Sequence, residues 1–498
     1  MKFLKKRILY MLSAVMMLGG SMACSDFIDI DPVNKLPEER VEFSKTENMY
    51  EPVVGVYSKV RTSGMHFANK LLLFGRDGDM WSGRTDDQGG AVDFGRDFNY
   101  TNSFWALNNI WVTHYEIIRI ANSALESLDG YAAYLTPGSD QYATYESYCA
   151  EVRTLRAWSY YYLVTNFGPI VLYKDNMQTE FRRSTIAAVY KYMLEEDLNY
   201  AMEKLPRLRP NQMTHNGAVT AFTAKLLAAK VYLLQEDYEQ VETLTDDIIN
   251  NGNFSLYADY YNLFKIPGKL CDESLFESQV TDFGNGSGDY IGVGEWFTCE
   301  GPFSLNEPDT GTSFGGWGFM GYEPEFVAWA ENRGETVRAE TSFLKAGTTT
   351  REGWVVSDAR GESTDCWNGK SYLPYNQLTP GRTGYGQNNN ARLLRYSEVL
   401  LLNSEAKIRL GKNGDNSYNL VRERAQMPTK TGVTLNDVLD ERRMELCGEW
   451  CNRYIDLVRT GEAATVLGPK GWTEAKTYWP LPASQLDDLP DLMLDPMD

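Results

Sequence analysis

The sequence predicts a mainly α fold, a helical scaffold of hairpins that carries a large loop-rich insert with short strands. Apolar residues recur at three-and-four spacing through about 105–265 and again from 392 to 462, the signature of one buried helical face. Between these regions, residues 266–391 hold 20 of the 42 glycines and five of the 12 tryptophans, a composition that prevents long helices. A hairpin motif in the first helical region also returns in the second.

The N-terminus is an address. Lys2, Lys5, Lys6 and Arg7 precede an apolar run from Ile8 to Leu18, and Ser21-Met22-Ala23-Cys24 follows. A basic stretch, an apolar stretch and small residues before a cysteine make a signal peptide over 1–23. As a helix the apolar run rises only about 16 Å, roughly half a hydrocarbon core, so it does not span. Cys24-Ser25-Asp26-Phe27-Ile28-Asp29 resembles a bacterial lipoprotein N-terminus, although Ser21 stands where such signals usually have Leu. Cys24 is therefore the expected lipidation site and 24–40 a tether. Removing 1–23 takes away four positive charges and no acid, which changes the formal charge from −20 to −24. Such a surface repels phosphate backbones and anionic head groups, so no nucleic acid is expected and the membrane is reached through the lipid alone.

The scaffold, with its helices in order, is predicted over 41–265. Val152, Leu155, Trp158, Tyr162 and Leu163 share one face of a helix that Gly168-Pro169 stops. Ile170 to Tyr173 reads as extended. Ser184 is placed to cap a helix whose stripe is Ile186, Val189, Met193, Leu198, Ala201 and Leu205, ended by Pro206. Ala229-Lys230-Val231-Tyr232-Leu233 with Tyr238 and Val241 to Leu244 is echoed by Ala406-Lys407-Ile408-Arg409-Leu410 with Tyr418 and Leu420-Val421. Each is helix, polar turn, helix, like a tetratricopeptide repeat that needs neighbours to cover its apolar face. A smaller glycine-containing insert runs from about 75 to 100, and loops are predicted over 463–498. Trp105, Trp111 and Trp158, lying in helical segments, are expected in the core, and Trp329 is expected to be packed.

Catalytic motifs fail on context. Gly311-Thr312-Ser313-Phe314-Gly315 fits a nucleophile elbow, but His66, His114 and His215 all precede the serine, whereas the triad's histidine should follow it. Gly316-Trp317-Gly318-Phe319-Met320-Gly321 fits a dinucleotide fingerprint without the strand that should lead into it. Three scattered histidines make no zinc set, and Cys447 with Cys451 reads as a buried pair. Cys149, Cys271, Cys299 and Cys366 are too sparse for a disulfide scaffold. The 68 acids leave a paired-carboxylate hydrolase open without singling out a pair.

Five blocks in order resemble the SusD/RagB family of Bacteroidetes outer-membrane lipoproteins. They are the Cys24 segment, Leu163-Val164-Thr165-Asn166-Phe167-Gly168-Pro169-Ile170, Arg395 to Leu402 with Glu405-Ala406, Glu441-Arg442-Arg443-Met444-Glu445-Leu446, and Asp456-Leu457-Val458-Arg459. The chain departs from the family at Glu449-Trp450-Cys451-Asn452-Arg453, one residue longer than usual, and in its tail from Leu489 to Asp498.

The resemblance implies tetratricopeptide-like hairpins and a non-catalytic, cell-surface lipoprotein of the outer membrane. Such a protein captures a nutrient, most often an oligosaccharide or polysaccharide, and delivers it to a SusC-like TonB-dependent transporter. It also implies that the N-terminal insert and the loop region converge on the ligand, which nominates Trp81, Asp77, Asp79 and Arg84 together with Trp296, Trp317 and Phe319. Trp354 and Tyr372 are weaker candidates. Sugars present C–H faces and hydroxyls, which aromatic rings beside paired polar groups suit. Glu441, Arg442, Arg443 and Glu445 read as a structural ion network. No cofactor is implied, while the acidic loops leave a structural Ca²⁺ open. Peptide capture, as in the RagB branch, is the alternative, with a surface glycoside hydrolase behind it.

Overall fold

The computed structural model describes residues 41–83, 89–280, 299–302, 304–357, 365–378, 388–450 and 453–498. The signal peptide, Cys24, the tether to residue 40, Arg84, Trp296 and Cys451 lie outside the described residues. Glu47–Asp498 pack as one unit, so the glycine-rich insert is not a separate domain.

The first half is helical: α1 (Glu51–Lys59), α2 (Phe67–Gly75), α3 (Trp105–Ala132), α4 (Asp140–Phe167), α5 (Ile186–Tyr192), α6 (Asn199–Lys204), α7 (Ala221–Leu234) and α8 (Tyr238–Asn251). The two longest, α3 and α4, form a hairpin. The Ser139 hydroxyl caps α4 by accepting the Tyr142 N–H at 3.2 Å. Gly168 ends it at φ +73°, where a Cβ would sit 2.9 Å from the Tyr478 ring. Leu155, Trp158, Tyr162 and Leu163 are all buried, as their spacing predicts. The capping expectation is off by one residue. Ser184 is held in extended pairing, its N–H donating to the Ile170 carbonyl at 2.7 Å, so the cap falls to Thr185, which accepts from the Ala188 N–H.

The glycine-rich segment begins and ends on one antiparallel ladder, β2 (Ser274–Ser278) against β9 (Ala391–Arg395). A second sheet runs in the order β1 (Met80–Ser82), β5 (Met320–Tyr322), β8 (Cys366–Asn368), β6 (Phe343–Lys345), and so joins the small insert to the large one. A third is formed by β4 (Ser313–Phe314), β3 (Leu305–Asn306) and β7 (Val355–Val356). Two helices, α9 (Pro324–Asn332) and α10 (Val337–Ser342), accompany the expected loops and strands. The segment has its own apolar core of Tyr261, Phe314, Leu344, Trp354, Trp367, Tyr372 and neighbours. Trp354 and Tyr372, 6% and 1% exposed, pack into this core.

The chain then returns to the scaffold as α11 (Tyr396–Arg409), α12 (Asp415–Arg424), α13 (Leu435–Glu445) and α14 (Arg453–Arg459). The two repeated hairpins stack directly, α8 against α11. Across that seam the Asn403 amide donates to Thr245 Oγ1 at 3.0 Å and to Asp246 Oδ1 at 2.8 Å, and Lys407 pairs with Asp246 at 2.9 Å. The apolar face that one hairpin cannot cover is covered by the other.

Insert and scaffold are locked by buried charge. Arg338 of α10, wholly enclosed, binds Glu335 at 2.6 Å and Glu441 of α13 at 2.5 Å. Arg395 joins Glu273 at 2.5 Å, Glu445 at 3.0 Å and Glu449 at 2.7 Å. Burial alone would raise the Glu441 carboxyl, but Arg338, Arg333 and Arg422 outweigh it and hold the group below the usual range. These charges are structural, as the sequence suggests for Glu441 and Glu445.

Candidate functional site

Trp81, Asp77 and Asp79 are all buried. Trp81 pairs across the ladder with Gly321 and is 3% exposed. A Cβ on Gly321 would meet the Trp81 indole at 2.8 Å, so the missing side chain makes the slot into which the ring packs. Asp77 closes the turn from α2 into β1 by accepting the Asp79 and Met80 N–H groups at 2.8 and 2.9 Å. Burial, then the neighbouring Asp79, pushes its carboxyl up to about 7. Asp79 is held by Arg443 of α13, whose Nε donates at 2.8 Å, and Arg453 lies 3.7 Å away. The pair anchors the small insert to the scaffold.

The structure instead assembles an aromatic stripe from three separate segments. α1 runs into a wide helical turn over Val60–Gly64, and His66 then caps α2 by accepting the Ala68 N–H on Nδ1. This cap places Phe67 at the first position of α2. The Phe67 ring lies 5.7 Å from Trp105, the first residue of α3, and 5.8 Å from Trp317, nearly perpendicular to it. His66 stands edge-on to Trp105 at 6.3 Å, and Phe319, 5% exposed, backs Trp317 at 5.6 Å. Trp317 is fixed by its loop, where the Gly316, Gly318 and Phe319 N–H groups donate to Pro302, Gly301 and Cys299 carbonyls.

Trp105 corrects the expectation of a core residue, because it is 40% exposed. As the first residue of its helix it extends past the face that α4 covers. Thr101, Asn102 and Ser103, all exposed, lead into it. Asn108 and Asn109 follow one turn later on the same side of α3, and the buried Asn109 Oδ1 has no hydrogen-bond partner among the described residues. Rings spaced about 6 Å apart, with amides and hydroxyls beside them, suit a chain of flat, hydroxylated rings. Among the described residues no cluster of three His, Cys, Asp or Glu side chains converges as a metal site, and no helix is long and apolar enough to cross a membrane.

Two family models match the chain. That of the SusD family covers residues 348–493, and one described as "Starch-binding associating with outer membrane" covers 26–233. The chain belongs to the SusD-like family. A SusD-like protein of Bacteroides ovatus is 26% identical over 385 residues, spanning 70% of this chain and 64% of that relative. The match thus spans under two thirds of that protein's length. A second SusD-like protein, from Formosa agariphila, is 26% identical over 93% of this chain and 92% of its own. Among solved structures, a laminarin-binding SusD-like protein superposes with a TM-score of 0.76 at 24% identity, over 90% of this chain and 98% of that one. Surface glycan-binding protein A of Bacteroides thetaiotaomicron, in complex with laminarihexaose, gives 0.75 at 23% identity, over 90% and 98%. These likenesses establish the SusD-like fold, the mainly helical architecture expected from periodicity and glycine distribution.

Proposed function

We propose that this SusD-like protein is a non-catalytic glycan receptor of the outer-membrane surface. It binds an oligosaccharide or polysaccharide along Phe67, Trp105 and Trp317, with Phe319 backing the platform, and passes it to a SusC-like TonB-dependent transporter. Lipid on Cys24 holds it to the membrane. Arg84 and Trp296, which lie outside the described residues, remain proposed ligand contacts on the family resemblance.

The stripe carries the reading. Its three rings step at 5.7 and 5.8 Å, close to the step between successive pyranoses, and Trp105 offers its ring to solvent. None of the side chains that form it is a carboxylate, which favours capture over hydrolysis. Similar structures support the ligand class, one being bound to laminarihexaose and another to a xylogluco-oligosaccharide. The test is affinity electrophoresis and calorimetry on a panel including laminarin, xyloglucan and starch, with product analysis. Saturable binding without new reducing ends is expected. Binding to peptides and to no glycan would replace this reading with peptide capture, and released reducing ends would replace it with hydrolysis.

A further inference from the structure

A second cleft, of about 350 Å³, opens between α1 and the β2 strand, on the side of the Val60–Gly64 turn away from any role assigned above. Its wall combines three kinds of group. The Tyr50 and His215 rings are stacked face to face, 6° from parallel, and Val60 and Phe276 add apolar surface. Ser278 is 4% exposed, and its Oγ has no hydrogen-bond partner among the described residues. Arg61, half-buried at the rim, has no carboxylate within 4.0 Å among the described residues, although acids outnumber lysines and arginines 68 to 48 in this chain.

Several of the other polar groups of the wall are already engaged. Tyr50 and Tyr57 donate to Glu151 at 3.1 and 2.8 Å. Glu277 accepts from the Leu270 N–H and the Asn390 amide, with Arg392 at 3.8 Å. The Gln279 amide donates to the Asn216 carbonyl. Among the groups not engaged in this way are one guanidinium and one buried hydroxyl beside aromatic and apolar surface. An uncompensated buried hydroxyl is costly, and a guanidinium fits a carboxylate with two parallel hydrogen bonds.

We infer that this cleft is a saccharide subsite selective for a carboxylated ring, a uronic acid. Arg61 takes the carboxylate, Ser278 donates to or accepts from a ring hydroxyl, and the C–H face lies on the apolar wall. The sugar part of the inference rests on the glycan-receptor reading; the carboxylate part rests on Arg61 alone. Arg61 and His66 are five positions apart in the chain, so their Cα atoms lie at most about 18 Å apart and one acidic oligosaccharide can reach both sites. The chain's net negative charge opposes an anion at long range, but screening beyond about 8 Å at physiological ionic strength leaves the local guanidinium in control.

The test uses the full mature chain carrying Trp105→Ala and Trp317→Ala, which removes the stripe. Short oligomers of glucuronic and galacturonic acid, and their neutral glucose and galactose counterparts, are titrated by ligand-observed NMR at about 0.15 M salt. At least one uronate should bind at least about tenfold more tightly than its neutral counterpart. Arg61→Ala should abolish that preference and Arg61→Lys keep part of it. Absence of saturable uronate binding, equal binding of neutral sugars, or a preference that survives Arg61→Ala overturns the inference. Neutral-glycan binding by the chain with an intact stripe is measured in parallel, and its loss would overturn the receptor reading instead.

Discussion

Replacing Trp105 with Ala should separate binding from folding. A tryptophan side chain buries up to about 250 Å² when covered, and Trp105 is 40% exposed, so about 100 Å² is available to a ligand. At about 25 cal/mol per Å² this is worth at most about 2.5 kcal/mol, or roughly 70-fold in affinity, and about 1 kcal/mol if a ring covers half of it. The substitution removes ring contacts to Phe67, Phe104 and His66 from a side chain that is already 40% exposed, so folding stability should fall by less than about 2 kcal/mol. Trp81→Ala is the opposite case. At 3% exposure it should cost about 3–5 kcal/mol of stability through the cavity it leaves, with affinity unchanged in whatever remains folded. Calorimetric titration with the best glycan of the panel, paired with urea unfolding of each variant, reads both quantities. If Trp105→Ala binds within twofold of the parent while folded Trp81→Ala does not bind, the stripe is the wrong surface.

Other outcomes follow from buried charge and from the anchor. Arg338→Met removes the wholly enclosed cation that Glu335 and Glu441 share and leaves them Arg333, with Arg422 also on Glu441, so urea unfolding should show a loss of about 3 kcal/mol; less than about 1 would mean the network adds little. Burial raises Glu151 from 4.5 to about 7 despite the Tyr57 and Tyr50 hydroxyls, so the folded chain holds this proton more tightly than the unfolded chain does. Its contribution is present below pH 4.5 and is lost as pH rises through about 7. Glu151→Gln should thus gain up to about 3 kcal/mol over the parent between pH 4.5 and 8, and a pH-independent difference would refute the account. Cys24→Ser should leave glycan affinity intact while moving the protein out of the membrane fraction and abolishing uptake; loss of affinity would show that the segment has another role.

Helices were legible because their signal is local. Three-and-four spacing and Gly168 as a stop both lie within a few residues of what they determine. The repeated hairpin was legible as a motif, and its stacking across about 177 residues followed from the apolar face each copy has to cover. Asp79 lacked any such signal. Its partner Arg443 lies 364 residues along the chain, and an acid beside glycines reads the same whether it meets an arginine or a ligand.

The two tryptophans that changed places show what glycine does and does not signal. Glycine beside Trp81 suggested an open loop, yet the glycine that matters is Gly321 on the opposite strand, and it acts by being absent as a side chain. Gly75 and Gly95 do the same where two backbones cross, a Cβ on Gly95 meeting the Gly75 Cα at 2.6 Å. Glycine therefore marks close approach as often as mobility, and a bulky ring near it is as well placed for a slot as for solvent. Trp105 is the converse. Helical periodicity assigns a face, but a face is covered only where a partner helix reaches, and the first residue of α3 lies beyond that reach. The available signal was the run Thr101-Asn102-Ser103, three polar residues directly before two aromatics, which places Phe104 and Trp105 at an exposed end. Large aromatics at helix starts, behind polar loops, are therefore the positions to test first for a ligand surface on a scaffold of this kind.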